Sequence, residues 1–451
     1  MIDEQPRSSM IASIGKRMQF ARALRSRPFA LVWLGQTISN LGDGIFYVAL
    51  AWQILLMTHS GTAMGLVLIA GMVPKLAFTL FGGVAADRLP RRLIISWSDG
   101  GRGIVVLLIG VLGFTGHLQF WMLLLQSFIF GVVDGFFTPA IMAITPDLVE
   151  RNDLSSANAL NSFGGTLSQL LGPLLGAGLI ALISPMGAFL ANAVSFFISV
   201  AFLLAVQIPE RHVAGAASAI ITPEIPIGTE IVEPGSLEQV GTSRGLKGVI
   251  AEAKEGLVYV RASRWLWVTI LSAALGNIGF TATLSVATPK LVHDVYGQGA
   301  WLLGLISATG AVGSILALLV VGQATRVKKR GLMAYLALTL SCVGILIFGL
   351  PFPRADAPII APLASVLVGF GLAFFNTVWF TILHETIPSD KLGRVISLDT
   401  LGSFAMIPVG EAIGGVMTDR LGAALVFIVF GVFNTINSLI PLLVREVREV
   451  E

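Results

Sequence analysis

Long apolar stretches, each ended by a few turn residues or charges, fill most of the chain. A helix needs about 20 apolar residues to cross roughly 30 Å of hydrocarbon. Twelve stretches of that kind fall near residues 29–57, 62–86, 93–114, 118–143, 157–183, 186–208, 265–289, 300–322, 331–351, 358–384, 394–418 and 422–443. The pattern predicts an all-α membrane protein with twelve transmembrane helices and both termini on one side. One long polar stretch interrupts it, from about Pro209 to Arg264. Its first part, Ile221-Thr-Pro-Glu-Ile-Pro-Ile-Gly-Thr-Glu, has no periodicity and reads as a flexible linker. Its second part spaces Leu246, Ile250, Ala253, Leu257 and Val260 at three or four residues, with Lys247, Lys254 and Arg261 elsewhere on the wheel. That spacing predicts an amphipathic helix at the membrane surface, leading into the seventh span.

Composition agrees with lipid as the solvent. Charged residues are 12% and apolar residues 55%, with a mean hydropathy of +0.84, whereas a soluble domain carries about a quarter charged residues. The fifty glycines then read as helix-packing surfaces rather than linkers.

A net charge of +3, dispersed along the chain, excludes a nucleic-acid partner. The single cysteine, Cys342, rules out an internal disulfide, and five scattered histidines offer no metal-ligand spacing, so neither a metal nor a cofactor is expected. The basic first 28 residues hold no apolar core with a cleavage site, so no signal peptide is expected. Lys and Arg gather in alternate loops: the N-terminus, Arg88, Arg91 and Arg92, the stretch Arg244 to Arg264, Arg326 to Arg330, Lys391 and Arg394, and the tail. The intervening loops, such as His59-Ser60 and Gly116-His117, are nearly bare. The positive-inside rule predicts both termini in the cytoplasm.

Shifting the chain against itself by 238 residues aligns Arg88 with Arg326, Gly131 with Gly369, Phe136-Phe137 with Phe374-Phe375, and Asp147 with Glu385. The same offset pairs Gly164, Gly172 and Gly176 with Gly402, Gly410 and Gly414. The expected organisation is therefore a cytoplasmic segment over 1–28, a six-helix bundle over 29–208, a linker over 209–264, a second bundle over 265–443 and a tail over 444–451. Paired six-helix repeats are a recurrent transporter architecture, with the substrate site between the halves.

An ionisable group near the bilayer centre costs about 2.5–3.5 kcal/mol on insertion scales, which makes it a functional candidate. Three fall in one layer at about 1.5 Å rise per residue: Lys75 roughly 18 Å above Asp87, Asp43 roughly 21 Å above Phe29, and Asp134 roughly 18 Å above Pro146. Lys75 is expected to pair with Asp43 or Asp134, either as a static fastening or as a pair broken by a proton or a cationic substrate. Glu411 lies roughly 26 Å above Arg394 and suits a packing or gating contact. Asp99 and Arg102, three apart, suit an intrahelical pair near the start of the third span.

Gly83-Val-Ala-Ala-Asp87-Arg88-Leu-Pro90-Arg91-Arg92 resembles the signature loop between helices two and three of the major facilitator superfamily, with Pro90 where that family usually has Gly. The resemblance implies a two-bundle, twelve-helix fold. It also implies that Asp87 docks on the cytoplasmic end of helix eleven in the outward-facing state, near the positive end of that helix. Gly172-Pro173-Leu-Leu-Gly176-Ala177 resembles the Gly-Pro-x-x-Gly-Gly motif of that superfamily's exporters, with Ala in place of the last Gly. Pro146-Asp-Leu-Val and Ala157-Asn-Ala-Leu are similar to the branch holding macrolide, tetracycline and enterobactin exporters. The arginine that many proton-coupled antiporters carry in helix four is replaced by Ser127. Asn277, Asn376 and Trp379 lie in spans seven and ten, which line the cavity in that family, and are candidate ligand contacts.

No nucleophile elbow and no phosphate-cradling Gly-Lys-Ser/Thr loop is present, so neither an enzyme nor an ATP-driven pump is expected. The reading is a monomeric secondary transporter exporting a small amphipathic compound, with protons as the partner ion. The alternatives are import of a metabolite or lipid-related compound, and a membrane scaffold or sensor.

Overall fold

The computed structural model describes residues 21–206, 256–323 and 329–448. Twelve helices are long and apolar enough to span a bilayer: α1 Arg27–Thr58, α2 Gly61–Arg88, α3 Arg91–Phe114, α4 Phe120–Leu148, α5 Arg151–Leu182, α6 Pro185–Ala205, α7 Arg264–Val295, α8 Ala300–Gln323, α9 Arg330–Gly349, α10 Ala357–Thr386, α11 Lys391–Leu421 and α12 Ala423–Leu443. No strand occurs among the described residues. Large apolar side chains such as Leu80, Trp97, Met142 and Leu182 stand exposed on the outside, as lipid requires.

Local chemistry sets the ends. Ser60 caps α2 by accepting from Ala63 N at 3.1 Å, and Ser184 with Pro185 opens α6. Two helices run past their expected ends. α4 continues through Pro139 and Pro146 to Leu148. α7 continues to Val295 through two π-helical stretches, Thr281–Ala287 and Leu291–Val295, whose wider turns carry the helix past Pro289. α11 breaks at Ala405–Met406 and resumes at Ile407, because Pro408 has no N–H to continue the ladder.

The first six helices form one bundle and the last six another. The 238-residue repeat is visible as matched contacts. A methyl on Gly131 would sit 2.0 Å from the Gly71 carbonyl oxygen where α4 crosses α2, and one on Gly369 would sit 1.9 Å from the Gly310 carbonyl oxygen where α10 crosses α8. Arg91 bonds Asp147 at 2.6 Å between the start of α3 and the end of α4, and Arg330 bonds Glu385 between α9 and α10.

α2 ends and α3 begins on one face, called here the hinge face; α1 ends and α2 begins on the opposite turn face. On the turn face an apolar cluster crosses the halves, with Val48, Trp52 and Leu55 of α1 among Leu291, Leu303 and Phe427. Of the expected surface helix, residues 256–262 are helical, with Val260 buried beside Leu266 and Tyr335 and Leu257 and Val258 exposed. Leu246, Lys247, Ile250, Ala253 and Lys254, with Arg326 and Lys328, lie outside the described residues.

Candidate functional site

Between the halves lies a cavity of about 850 Å³, within the size range of small-molecule sites. α1, α5, α7, α8 and α10 supply most of its wall. Val48, Leu68, Ile306 and Val368 make it mainly apolar, and Asn40, Gln169, Ser285 and Ser307 add hydrogen-bonding groups. Among the described residues Asp43 is the one carboxyl in the wall, and Tyr47, one turn along, is 57% exposed. Small neighbours hold Asp43 there. Gly44 meets Gly172 of α5 so closely that a methyl on it would sit 2.8 Å from the Gly172 Cα, and Gly42 lies against Asn192 and Ser195 of α6. The π-helical stretch of α7 supplies Ser285 opposite.

Behind Asp43 stands Arg102. Its Nη2 donates to Asp99 Oδ1 at 2.5 Å, and its Nη1 donates to Asp134 Oδ1 at 3.1 Å and lies 3.9 Å from Asp43 Oδ2. The rings of Phe137 and Phe196 stand 4.3 and 4.7 Å from the guanidinium carbon, a cation–π setting that keeps water off it. Lys75 donates to Asp134 Oδ2 at 3.3 Å. Asp99 is further satisfied by Ser199 Oγ at 2.7 Å and Gln36 Nε2 at 2.9 Å. Lys75 thus pairs with Asp134, and no contact with Asp43 is seen. Asp99 and Arg102 form the expected intrahelical pair, and the pair lies deeper than the start of α3, where Arg102 also reaches Asp134 and Asp43. Eleven residues of helix lift Arg102 roughly 16 Å above Arg91. Three carboxylates face two cations here, which leaves the cluster one positive charge short. Asp43 is the carboxylate farthest from Arg102 and the one that opens to the cavity.

The turn face is closed by α5 against α8 and by α2 against α11. A methyl on Gly304 of α8 would sit 2.6 Å from the Pro173 carbonyl oxygen, and Gly176 packs on Ile45 of α1. The Glu411 carbonyl oxygen faces Gly65, while its side chain is buried, with Oε2 unpaired among the described residues. Asp419 clasps the start of α2: Oδ1 accepts from Gly61 N at 2.7 Å, and Oδ2 from Ser60 Oγ at 2.6 Å and Thr62 N at 2.9 Å. Lys290 of α7 holds the same carboxylate at 2.8 Å. Neither Asp419 nor Lys290 stands out in the sequence, where both read as ordinary charges at span ends.

On the hinge face the signature residues serve one half. Arg91 donates to the Ala143 carbonyl at 2.8 Å as well as to Asp147, and Arg92 donates to the Leu204 carbonyl at 2.8 Å. Asp87 and Arg88 are exposed, a methyl on Gly83 would meet nothing within 4 Å, and Asp87 makes no hydrogen bond or ion pair among the described residues.

Asn277, Asn376 and Trp379 come together, but not in the central cavity. They line a separate pocket of about 160 Å³ inside the second half, with Asp399 and Asn434. Asn277 Nδ2 donates to the Ser403 carbonyl at 2.7 Å, beside the break in α11. Trp379 stacks on Phe375 with ring centres 6.3 Å apart. Each span is apolar on all sides, so sequence alone does not tell which face turns to which space.

Two pseudo-symmetric bundles, a mainly apolar cavity with a few polar groups between them and a seal at one face define a membrane transporter. The sequence matches the Major Facilitator Superfamily over residues 32–401, and the chain belongs to that family. Macrolide efflux protein A of Streptococcus pyogenes is 22% identical over 425 residues, covering 94% of this chain and 97% of that protein. The enterobactin exporter EntS of Citrobacter koseri is 26% identical over 414 residues, covering 89% and 87%. Among solved structures, a bacterial homologue of the iron transporter ferroportin in an inward-facing state aligns with a TM-score of 0.67 at 16% identity, over 92% of this chain and 98% of that one. A bacterial homologue of the lysosomal transporter Spinster, inward-facing and occupied, aligns with a TM-score of 0.64 at 15% identity, over 93% and 96%.

Proposed function

We propose that this protein is a secondary exporter of small amphipathic compounds, cationic ones foremost, that exchanges its cargo for protons. The observation that carries this reading is Asp43, the one carboxylate in a mainly apolar cavity, backed by an ionic cluster short of one positive charge. A proton or the cationic head of a substrate satisfies the same deficit, so the two compete, and competition for one site is the requirement of antiport. Arg102 supplies from α3 the cation that α4 lacks at Ser127. The full-length similarity to macrolide and enterobactin exporters supports the outward direction.

The hinge face, rich in Lys and Arg, is the cytoplasmic one in this reading, with both termini there and the chain in a bacterial inner membrane. The structure then corresponds to the cytoplasm-open state, held by the Asp419 clasp, and Asp87 engages helix α11 only after the halves rock. Gly172, Pro173, Gly176 and Glu411 form the seams along which they rock. The units are the bundles over 29–208 and 265–443, flanked by the segments 1–28 and 444–451 and joined by 209–264. One chain supplies both sides of the pathway, so a monomer suffices.

Cells lacking the gene, preloaded with a panel of fluorescent cationic dyes and macrolides, test the direction. Slower efflux of at least one compound, restored by the wild-type gene and not by Asp43→Asn, is expected. Unchanged efflux with lost uptake of a metabolite would reverse the reading.

A further inference from the structure

We propose that the pocket enclosed by α7, α10, α11 and α12 in the second half is a binding site for a small monovalent cation, an alkali ion or the ammonium group of a small amine, held by Asp399, Asn434 and Trp379. This site is distinct from the Asp43 cavity and does not depend on the direction of transport.

The charge of the ligand follows from the wall. Among the described residues no Lys, Arg or His lines the pocket, and Cys342 and Asp399 are its ionisable groups. Asp399 is 5% exposed, and its one hydrogen bond among the described residues comes from Trp379 Nε1 at 3.3 Å. Asp99, fully buried in the first half, shows how this protein satisfies a buried carboxylate, with Arg102, Gln36 and Ser199 all bonded to it. A carboxylate taken from water into such a setting loses several kcal/mol unless a cation or several donors replace the water. Asp399 has a single donor among the described residues, so it stays ionised there only with a cation beside it and otherwise takes a proton.

A second, independent observation points to the same space. Asn434 of α12 is 1% exposed, and neither its Nδ2 nor its Oδ1 has a hydrogen-bond partner among the described residues. Leaving a buried amide unpaired costs about 1–3 kcal/mol, which a ligand in the pocket would recover. The neighbouring amides are already oriented. Asn277 gives its Nδ2 to the Ser403 carbonyl at 2.7 Å, and Asn437 gives its Nδ2 to the Ser272 carbonyl at 2.8 Å. Each carbonyl oxygen is left as an acceptor, which is the ligand type a hard monovalent ion takes. The Trp379 indole, fixed by Phe375 on one side and by Trp265 with ring centres 5.6 Å apart, lines the pocket and holds its N–H on Asp399.

The size and access also fit. A volume of about 160 Å³ is roughly five times a water's share of the liquid, enough for an ion with a few waters or for a small amine. Asn376, Thr400 and Phe404 at the rim are exposed, so the pocket has a way in. A bound cation would tie Asp399, on the first half of the broken α11, to α10 and α12. It would thereby stiffen the part of α11 that must move when the hinge face closes.

Thermal unfolding of the full chain in nanodiscs tests this without any transport measurement. Sodium, potassium and methylammonium chloride are titrated against the bulky N-methyl-D-glucamine chloride at constant ionic strength. At least one small cation is expected to raise the midpoint saturably. The rise should vanish in Asp399→Asn, and the apparent affinity should fall about tenfold in Asn434→Leu and in Trp379→Phe, roughly the loss of one good contact. A response to sodium or potassium alone assigns an ion site, and a response to methylammonium alone assigns an amine site. No rise above the N-methyl-D-glucamine baseline would overturn the proposal. So would an equal rise in Asp399→Asn, or, where that variant does not fold, full responses in both Asn434→Leu and Trp379→Phe. A response kept in Asp399→Asn and lost in Asp43→Asn would place the cation in the other half and overturn it as well.

Discussion

Arg102 Nη1 donates to Asp134 Oδ1 at 3.1 Å, joining α3 to α4 directly behind the wall that carries Asp43. The arginine is 5% exposed along its side chain and touches three carboxylates. Burial of that kind makes the group hard to replace, because removing one member of a buried ion cluster strands the others.

The first prediction concerns that hub. Arg102→Met should lower stability by about 3–5 kcal/mol, the usual cost of stranding buried partners, and abolish transport. Arg102→Lys should recover part of the stability and little transport, since an ammonium cannot reach two carboxylates from a planar fork. Melting in detergent and dye efflux from cells check both. Near-normal transport in Arg102→Met would remove the cluster from the mechanism.

The Asp419 clasp sets the second. Its four partners span Ser60, Gly61, Thr62 and Lys290, and cap and charge contacts of this kind are worth about 0.5–2 kcal/mol each. Asp419→Asn should therefore shift the conformational balance about tenfold or more toward opening at the turn face. In a Cys342→Ser background carrying Ser307→Cys, a bulky maleimide added from the turn face should label the cavity faster when Asp419→Asn is added. Equal labelling rates would show that the apolar seams alone hold this face shut.

The third rests on the contact between Gly44 and Gly172. Gly44→Leu would drive its side chain into α5, where even a methyl lies 2.8 Å from a backbone carbon. Overpacking of this kind costs about 1–3 kcal/mol. Because Asp43 is the adjacent residue, the apparent affinity for substrate should fall more than the amount of folded protein. Binding measured on purified, normalised protein separates the two effects.

Much of this architecture was legible in the sequence for a physical reason. Lipid leaves the backbone no partners but its own, so span length and turn residues locate twelve helices, and matched glycines such as Gly131 and Gly369 betray the duplication. Depth was legible too, since Asp43, Lys75 and Asp134 do gather around one cluster. What was hidden was direction around each helix. Asp99 and Arg102 read as a local i, i+3 pair because spacing shows neighbours on the same helix and not across it. Asn277, Asn376 and Trp379 face the pocket of Asp399 and not the cavity of Asp43, a distinction that requires the rotation of α7 and α10 about their axes. The π-helical turns in α7 change that rotation partway along, and nothing in hydropathy marks them apart from Pro289.

The central claim is that Asp43 takes either a proton or a cationic substrate. Proteoliposomes holding the purified protein, loaded with an exported dye and given a pH step, test it most directly in wild type and Asp43→Asn. The account predicts that the pH step drives dye movement in wild type, and that Asp43→Asn loses the gradient-driven component while folding normally. Full gradient-driven movement in Asp43→Asn would contradict it.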